Sequence, residues 1–156
     1  MNSDKMICRD GNKNENVDNP ALEIVANPDA SGDNASATVA KFTARQTGAP
    51  WAGTETFDKD TFTLDATNSV VKIMVYKSVI SDVGIKFAVG AAAQPEIKVA
   101  NTVVNQWEEL TFDFSGNIGL AETIGITTLT VFPDFDLAGR ASETVSYFDN
   151  ISFSAS

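Results

Sequence analysis

The stretch Ser69-Val70-Val71-Lys72-Ile73-Met74-Val75-Tyr76 decides the fold class of this chain. Its hydrophobic residues Val71, Ile73 and Val75 alternate with a lysine, a methionine and a tyrosine. Side chains of a β-strand point to opposite faces in turn, so a period of two in a run rich in β-branched residues predicts a strand with one face in a hydrophobic core.

The same alternation recurs on both sides of this stretch, and no segment shows the sustained 3.6-residue period of an amphipathic helix. We predict strands at 22–25, 36–44, 51–57, 61–64, 69–76, 83–89, 97–99, 107–114, 124–132 and 145–153. Short strands at regular spacing with turn residues between them are typical of sandwiches. The prediction is an all-β protein, an antiparallel β-sandwich (jelly roll) of roughly eight to ten strands.

The chain divides into a short polar segment and one domain. Residues 1–20 are rich in Asn, Asp and Lys and are predicted to be a loop, a disordered terminus or a weak first strand near Lys5 to Cys8. Residues 21–156 are assigned to the β-sandwich. The start of the chain lacks the apolar stretch of a signal peptide, so for a secreted protein we expect a signal that was removed or lies upstream in a longer parent chain.

Composition excludes several classes of protein. The formal net charge of −10 argues against nucleic acid or an anionic membrane as partner. No apolar run approaches the ~20 residues of a membrane span. A single cysteine, Cys8, allows no internal disulfide, and the absence of histidine excludes both a histidine base and imidazole zinc sites. Carboxylate chemistry and calcium remain open.

The last predicted strand, 145–153, contains a misplaced acid. Strict alternation would put Asp149 on the same face as the hydrophobic residues Val145, Tyr147, Ile151 and Phe153. An unpaired buried carboxylate costs several kcal/mol or more, so Asp149 requires a partner or a metal. If the first and last strands of the sandwich are neighbours, Asp149 meets the early loop 27–34.

Oxygen ligands without histidine or cysteine suit calcium. We therefore predict a structural Ca²⁺ that ties the early loop to the last strand, with the ligands Asp149, Asp29, Ser31 and Asn34. The alternative is that Asp149 only accepts hydrogen bonds, for instance from Lys41.

A second group of residues is predicted to contact sugars. Aromatic rings offer flat apolar faces to sugar C–H groups, and lysine and arginine donate hydrogen bonds to hydroxyl groups. The strands that carry these side chains are expected to be neighbours, so that one surface presents them all. The candidate carbohydrate contacts are Arg45, Trp51, Tyr76, Lys72 and Lys86. The alternative is an ordinary solvated sheet face.

Two acids follow the predicted strand 124–132, in the segment Phe132-Pro133-Asp134-Phe135-Asp136. Proline ends most strands, so we interpret this segment as a turn. Its two acids alone do not establish a glycosidase pair.

Seven strings carry a resemblance, in matching order, between residues 21 and 154. They are IVANPDASGDNAS at 24–36, VAK at 39–41, WAG at 51–53, VGIK at 83–86, WEELTFDF at 107–114, FPDF at 132–135 and YFDNI at 147–151. Together they resemble the β-sandwich (jelly-roll) carbohydrate-binding modules attached to marine bacterial polysaccharide-degrading enzymes such as laminarinases, agarases, carrageenases and alginate lyases.

The resemblance implies a non-catalytic, extracellular domain that holds the catalytic domain of a parent enzyme on a polysaccharide. It also implies a structural calcium bound by the aspartate of the final strand, which is Asp149 here. Such modules usually begin with a strand carrying a Phe-Glu pair, and residues 1–20 contain no such pair.

The leading hypothesis is thus a carbohydrate-binding module without enzymatic activity. The acidic composition favours a neutral β-glucan over an anionic algal glycan (alginate, carrageenan or agar). A second hypothesis is a structural or adhesive spacer domain, which predicts that Trp51 and Tyr76 are both buried. A third is a small lyase or hydrolase using Tyr76 or Tyr147, which the lack of histidine disfavours.

Overall fold

A computed structural model of the protein describes residues 19–56, 61–93 and 96–156. Within these ranges the strands are β1 (Glu23–Ala26), β2 (Thr38–Ala44), β3 (Thr54–Thr56), β4 (Val70–Lys77), β5 (Asp82–Val89), β6 (Ala92–Ala93), β7 (Ile97–Ala100), β8 (Trp107–Asp113), β9 (Thr128–Phe135) and β10 (Thr144–Ser154). Two short 3-10 helices, Ser115–Asn117 and Ala121–Thr123, connect β8 to β9. The weak strand predicted near Lys5 to Cys8 lies outside the described residues.

The strands form two antiparallel sheets. Sheet I has the order β1-β2-β10-β4-β8, and sheet II has the order β3-β9-β5-β6, with β7 also paired to β5. The predicted all-β sandwich is confirmed. The first described strand is not beside the last, because β2 lies between β1 and β10. No helix in the described part of the chain has the length and apolar character needed to cross a membrane.

The core lies between the sheets and consists of the inward rows that alternation predicts. Val71, Ile73 and Val75 of β4 are each at most 2% exposed. They pack with the inward residues of β5, β8 and β9, which include Val83, Ile85, Phe87, Leu110, Phe112, Leu129 and Val131. Burial of these side chains, each contributing about 1.5–3 kcal/mol, holds the two sheets together.

A β-bulge interrupts β10 where alternation predicted a single face. Asp149 pairs with Met74, whereas Ser152 pairs with Lys72, so three steps along β10 match two along β4. The extra residue is accommodated at Asn150, whose φ of 51° lies in the left-handed region that asparagine tolerates. The bulge reverses the alternation beyond Asp149.

The predicted common face of the last strand is therefore wrong. Ile151 and Phe153 belong to the core between the sheets. Tyr147 instead packs in a second apolar cluster, with Met74 and Trp107, on the outer side of sheet I. Asp149 is on this outer side because it is two residues from Tyr147, before the bulge. It is only 1% exposed.

A second irregularity lies in β9. Gly84 pairs with Phe132 and Asp82 pairs with Phe135, so two steps along β5 match three along β9. The strand continues through Pro133 to Phe135, and the predicted turn at this proline is wrong. A bulge is one of the few places where a sheet accepts a proline. Strand 61–64, in contrast, is reduced to a single bridge between Phe62 and Ile126.

Candidate functional site

The predicted sugar contacts lie in three places. Lys72 and Tyr76 are on β4 in sheet I, Lys86 is on β5 in sheet II, and Arg45 and Trp51 are in the loop from β2 to β3. The expectation that β4 and β5 are neighbouring strands is wrong, because they belong to different sheets. The five residues therefore do not form one surface.

On the outer side of sheet I, Lys72 and Tyr76 are engaged by their own sheet. The Tyr76 ring contacts the rings of Tyr147 and Trp107 edge-on, with centroid distances of 5.7 and 5.6 Å. Lys72 forms an ion pair with Glu109 at 3.2 Å. Tyr76 is half-buried in this aromatic group, so its ring stabilises the outer side of sheet I through packing.

The outer side of sheet II presents a different combination of side chains, and we call it the sheet II face: Glu55, Lys86, Lys98, Phe132 and Phe135. The registers of β3, β5 and β7 with β9 place these residues close together. The Lys86 ammonium is 5.4 Å from the centre of the Phe132 ring, and the Lys98 ammonium is 3.9 Å from that of Phe135. Each is a cation–π contact, worth about 0.5–1 kcal/mol where exposed.

Two glycines make room for the ring of Phe132. A Cβ on Gly53 would lie 2.7 Å from Phe132 Cδ1, and a Cβ on Gly84 would lie 3.0 Å from Cδ2. Both edges of the Phe132 ring thus lie against glycine backbone. A residue with a Cβ at either position would force the ring or the strand to move. The Phe132 and Phe135 rings contact each other at 5.4 Å and are 7% and 8% exposed, so they support the lysines from below.

Acidic side chains balance the lysines of this face. Glu55 is half-buried, and burial raises its pKa, an effect that the charge of Lys86 and a hydrogen bond with Thr130 partly offset. Lys98 forms an ion pair with Glu96 at 3.5 Å. The two lysines and two glutamates leave no net charge among these four groups.

Trp51 lies in the loop that leads into β3, the strand at one end of sheet II. It is 42% exposed and stands two residues before Gly53, the glycine that contacts Phe132. The carbonyl of Pro50 accepts a hydrogen bond from the backbone N–H of Asp136, at 3.1 Å, which holds the loop against the end of β9. Arg45 is exposed at the other end of this loop.

A buried ion pair beside this loop was not predicted from the sequence. Arg140 Nε donates to Asp134 Oδ2 at 2.8 Å, and both side chains are 2% exposed. Thr144 donates to the same oxygen at 2.6 Å, and the Ser81 hydroxyl donates to Oδ1. Burial alone would raise the pKa of Asp134, but these hydrogen bonds and the arginine charge hold it below its ordinary value.

Lys77 joins this polar group from β4. Its ammonium donates to the carbonyl and hydroxyl of Ser81 at 2.9 and 2.6 Å, and the residue is 1% exposed. Burial lowers the pKa of Lys77 to about 8, although the carboxylates of Asp134 and Asp82 oppose the shift. The signal was present in the sequence, because alternation puts position 77 in the inward row of β4.

A cleft of about 190 Å³ lies beside this polar group, between the loops 78–81 and 136–143. Ile80, Asp136 and Ser142 are among its walls. Asp134 and Arg140 also line it, but they already neutralise each other.

Two of the four predicted calcium ligands are in contact. Asn34 Nδ2 donates to Asp149 Oδ2 at 3.1 Å, and both residues are 1% exposed. The Asn34 Oδ1 atom accepts from the Ser36 backbone and from Asn150 Nδ2, at 3.1 and 3.2 Å. Lys41, the predicted alternative partner of Asp149, forms an ion pair with Glu23 at 3.4 Å.

The other two, Asp29 and Ser31, form a local turn at the surface. Asp29 Oδ1 accepts hydrogen bonds from the Ser31 backbone and hydroxyl at 3.1 and 2.6 Å, and the hydroxyl contact is the main reason that the pKa of Asp29 is lowered. The indole N–H of Trp107 donates to Asn27 Oδ1 and to the Asp29 carbonyl, at 3.0 and 3.1 Å. Trp107 thus fastens the early loop across the outer side of sheet I.

The described residues fit calcium only in part. A buried carboxylate and an amide are suitable ligands, but calcium takes about six to eight oxygens. No three Asp, Glu, Cys or His side chains in the described ranges group in a way that would hold a metal. The four predicted ligands therefore form two separate pairs, Asn34 with Asp149 in the interior and Ser31 with Asp29 at the surface.

Comparisons with known proteins show which solved structures share this fold. No protein-family model matches the chain, and no curated protein matches it. Solved structures do match. The CBM22-1–GH10 modules of endo-1,4-β-D-xylanase 10B from Clostridium thermocellum, complexed with xylohexaose, align with a TM-score of 0.58 and 16% identity over 100% of this chain. This chain spans 27% of that protein.

Two further matches cover most of both chains. The family 11 carbohydrate-binding module from Clostridium thermocellum, in complex with a β-1,3-1,4-mixed-linked tetrasaccharide, has a TM-score of 0.52, 11% identity and coverage of 86% of this chain and 82% of that one. A module of family 28 specific for non-crystalline cellulose has a TM-score of 0.55, 10% identity and the same two coverages, 86% and 82%. The chain has the β-sandwich fold found in these carbohydrate-binding modules. At these identities the likeness concerns the β-sandwich, and the site must be argued from its residues.

Proposed function

We propose that this carbohydrate-binding-module fold binds a polysaccharide on the sheet II face and on Trp51, in the loop that leads into β3, and has no catalytic activity. The observation that carries the proposal is the pair of lysines held over Phe132 and Phe135 on the sheet II face, with the 42% exposed Trp51 two residues before Gly53, which packs on Phe132. An apolar ring next to directed donors and acceptors is the combination that a sugar, with its C–H and hydroxyl surfaces, requires.

In this proposal each group has a defined task. The Trp51 ring packs on the C–H face of one sugar unit. Lys86 and Lys98 donate hydrogen bonds to hydroxyl groups, and Glu55 accepts them. Phe132 and Phe135 are buried beneath the lysines and fix the positions of their ammonium groups.

We favour a neutral β-glucan over alginate, carrageenan or agar as the ligand. The chain carries a net charge of −10, and the charges of the sheet II face are balanced between lysines and glutamates. A polyanion would meet repulsion from the whole surface without a local excess of positive charge. Two modules of the same fold, one with a mixed-linked tetrasaccharide and one specific for non-crystalline cellulose, support this direction.

The absence of catalysis is inferred from the groups that could have supplied it. Both oxygens of the Asp134 carboxylate are occupied by Ser81, Thr144 and Arg140, so it is not poised to transfer a proton. By analogy with the xylanase modules, we further propose that the protein is extracellular and serves the catalytic domain of a parent enzyme.

Calcium remains part of the proposal in a structural role. Asp149 would hold the ion, and Asn34 would join through Oδ1 after its amide group turned, because Nδ2 now faces Asp149. Further oxygens would complete the shell. A cation there would neutralise a carboxylate that is 1% exposed and fasten the early loop to β10. Asp29 and Ser31 would support the ion indirectly, by shaping the same loop.

The spacer hypothesis predicts that Trp51 and Tyr76 are both buried. Trp51 is 42% exposed and Tyr76 is only half-buried, so this condition is not met.

Affinity gel electrophoresis tests the function. The protein is run through native gels containing mixed-linkage β-glucan, laminarin, xylan, alginate, carrageenan or agar. We expect retardation by a β-glucan, reduced in Trp51→Ala and retained in Lys72→Ala, the matched control on sheet I. Equal mobility in all gels with and without polysaccharide would refute sugar binding, and retardation by the anionic glycans alone would overturn the ligand preference.

A further inference from the structure

The loop that carries Trp51 is fastened by an arginine from a different part of the chain. Arg140 Nη1 donates to the carbonyl of Ala49 at 3.0 Å, and Nη2 donates to that of Pro50 at 3.4 Å. These are the two carbonyl groups that directly precede Trp51. The Asp136 backbone N–H adds a third hydrogen bond, to Pro50.

Arg140 is itself held rigidly. Its Nε donates to the Asp134 carboxylate and its Nη2 to the Asp134 carbonyl, and the ion pair is buried. Charge-assisted hydrogen bonds in a buried site are short and directional, so the guanidinium has one orientation. That orientation aims its remaining N–H groups at residues 49 and 50.

We propose that Arg140 and Asp134 form a positioning pair that fixes the Trp51 ring for contact with a polysaccharide. This inference rests on the proposed function. An exposed aromatic residue on a free loop would have to be ordered when the ligand binds, and that ordering lowers affinity. The pair orders the loop beforehand, because it ties the residues before Trp51 to the end of β9.

An arginine is required for this task. The planar guanidinium has five donors in fixed directions and can serve a carboxylate and three carbonyls at once. A lysine at position 140 would keep the positive charge beside Asp134 but lose the fork that reaches the loop. Lys77 already supplies an ammonium to this group, but it donates to Ser81 and does not replace the hydrogen bonds from Arg140 to residues 49 and 50.

The experiment uses the full chain labelled with 5-fluorotryptophan and observed by 19F NMR. The chain has two tryptophans, so two resonances are expected, and Trp51→Phe assigns them. Trp107 is buried and bonded to the early loop, and it reports whether the protein is folded. The variants are Arg140→Lys, Arg140→Gln and the control Thr144→Val, which removes a hydrogen bond to Asp134 but none to residues 49 and 50.

Without any glycan, we expect Arg140→Lys and Arg140→Gln to shift and narrow the Trp51 resonance while that of Trp107 stays in place. Thr144→Val should leave both unchanged. If Arg140→Gln does not fold, the spectrum of Arg140→Lys tests the inference, because this variant keeps a positive charge beside the buried carboxylate of Asp134. An unchanged Trp51 resonance in a folded Arg140 variant would overturn the inference.

Affinity separates this inference from the proposed function. On a β-glucan that binds the wild type, Arg140→Lys should weaken binding about tenfold, with Thr144→Val close to wild type. If the wild type binds no glycan, the function fails, while the 19F spectra still decide whether the pair orders Trp51. If the wild type binds and Arg140→Lys binds equally well, the positioning role is wrong and the function stands.

Discussion

The side-chain amide of Asn34 donates a hydrogen bond to the buried carboxylate of Asp149 at 3.1 Å, across 115 positions of the sequence. This contact ties the early loop to the last strand at the place where calcium is proposed. Asn34 is also bonded to Asn150, the bulge residue of β10, so the loop and the bulge depend on each other.

Removal of calcium is the first prediction. A ligand that binds only the folded state stabilises it by mass action, by about 2.7 kcal/mol at one hundred times its dissociation constant. We therefore expect a chelator to lower the melting temperature of the wild type by several degrees. Asp149→Ala should melt at the same temperature with and without chelator. A wild-type melting curve that does not respond to chelator, together with no calcium by elemental analysis, would refute the site.

Asp29→Ala is the companion variant, because it separates the two halves of the predicted ligand set. Asp29 bonds Ser31 in an exposed turn, so we expect this variant to keep its response to the chelator. A loss of response would make Asp29 a ligand. Asp65→Ala removes a similar exposed turn, at Thr67, and serves as the control.

The bulge of β10 gives the second prediction. Asn150 has a positive φ, which costs alanine about 1 kcal/mol or more and costs glycine nothing. Both Asn150→Ala and Asn150→Gly lose the hydrogen bond to Asn34. Urea unfolding should therefore show Asn150→Ala to be about 1 kcal/mol less stable than Asn150→Gly. Equal stability of the two variants would mean that the bulge is not held in this conformation.

The buried ion pair between Asp134 and Arg140 gives the third prediction, which concerns stability. Asp134→Asn leaves the charge of Arg140 buried without its partner, and breaking a buried pair in this way costs about 3–5 kcal/mol. Asp136 is two residues away and only half-buried. Asp136→Asn should therefore lower the free energy of unfolding by less than about 1 kcal/mol, since surface substitutions typically change it by about 0.5 kcal/mol. Chemical denaturation measures both. A loss below about 1 kcal/mol in Asp134→Asn would contradict the burial of the pair.

The pH dependence of stability gives the fourth prediction, through Lys77. Its pKa is lowered to about 8 in the folded protein, so the unfolded chain binds its proton more tightly. Stability contributed by this group therefore rises with pH between about 8 and about 10.5 and is flat outside that window. Its full size is at most about 3 kcal/mol.

Lys77→Met isolates this contribution. The unfolding free energy of the wild type minus that of Lys77→Met should increase from pH 8 to pH 10, because methionine does not titrate. The pKa of Asp134 is lowered, so Asp134 is ionised throughout this range and cancels from the slope. A difference that stays constant would show that Lys77 titrates at its ordinary pKa, and one that falls would show that folding raises its pKa; either result would contradict the prediction.

Alternation predicted the β-sandwich because its core strands obey the period of two without interruption. Hydrophobic burial alone accounts for the inward position of Val71, Ile73 and Val75. The last strand and β9 broke the rule because each contains a bulge, and one inserted residue exchanges the two faces of everything beyond it. Bulges leave little trace in a sequence, although Asn150 and Pro133 are residues that suit them.

The candidate site was predicted less completely. Lys86 and Trp51 were identified from their residue types, yet their separation from Lys72 and Tyr76 follows from strand order, which alternation does not determine. Phe132 and Phe135 were placed in a turn, although together with Lys86 and Lys98 they build the sheet II face. Arg140 stood in a polar loop and had no local signal of the partner that buries it.

Isothermal titration calorimetry with soluble mixed-linkage β-glucan tests most directly whether the sheet II face binds the glycan. We expect binding by the wild type and by Lys72→Ala, with a loss of affinity of at least about tenfold in the double variant Lys86→Ala/Lys98→Ala and in Trp51→Ala. Melting curves establish that each variant is folded. Wild-type affinity in Lys86→Ala/Lys98→Ala, or a loss in Lys72→Ala as large as in that variant, would contradict the assignment of the glycan to the sheet II face.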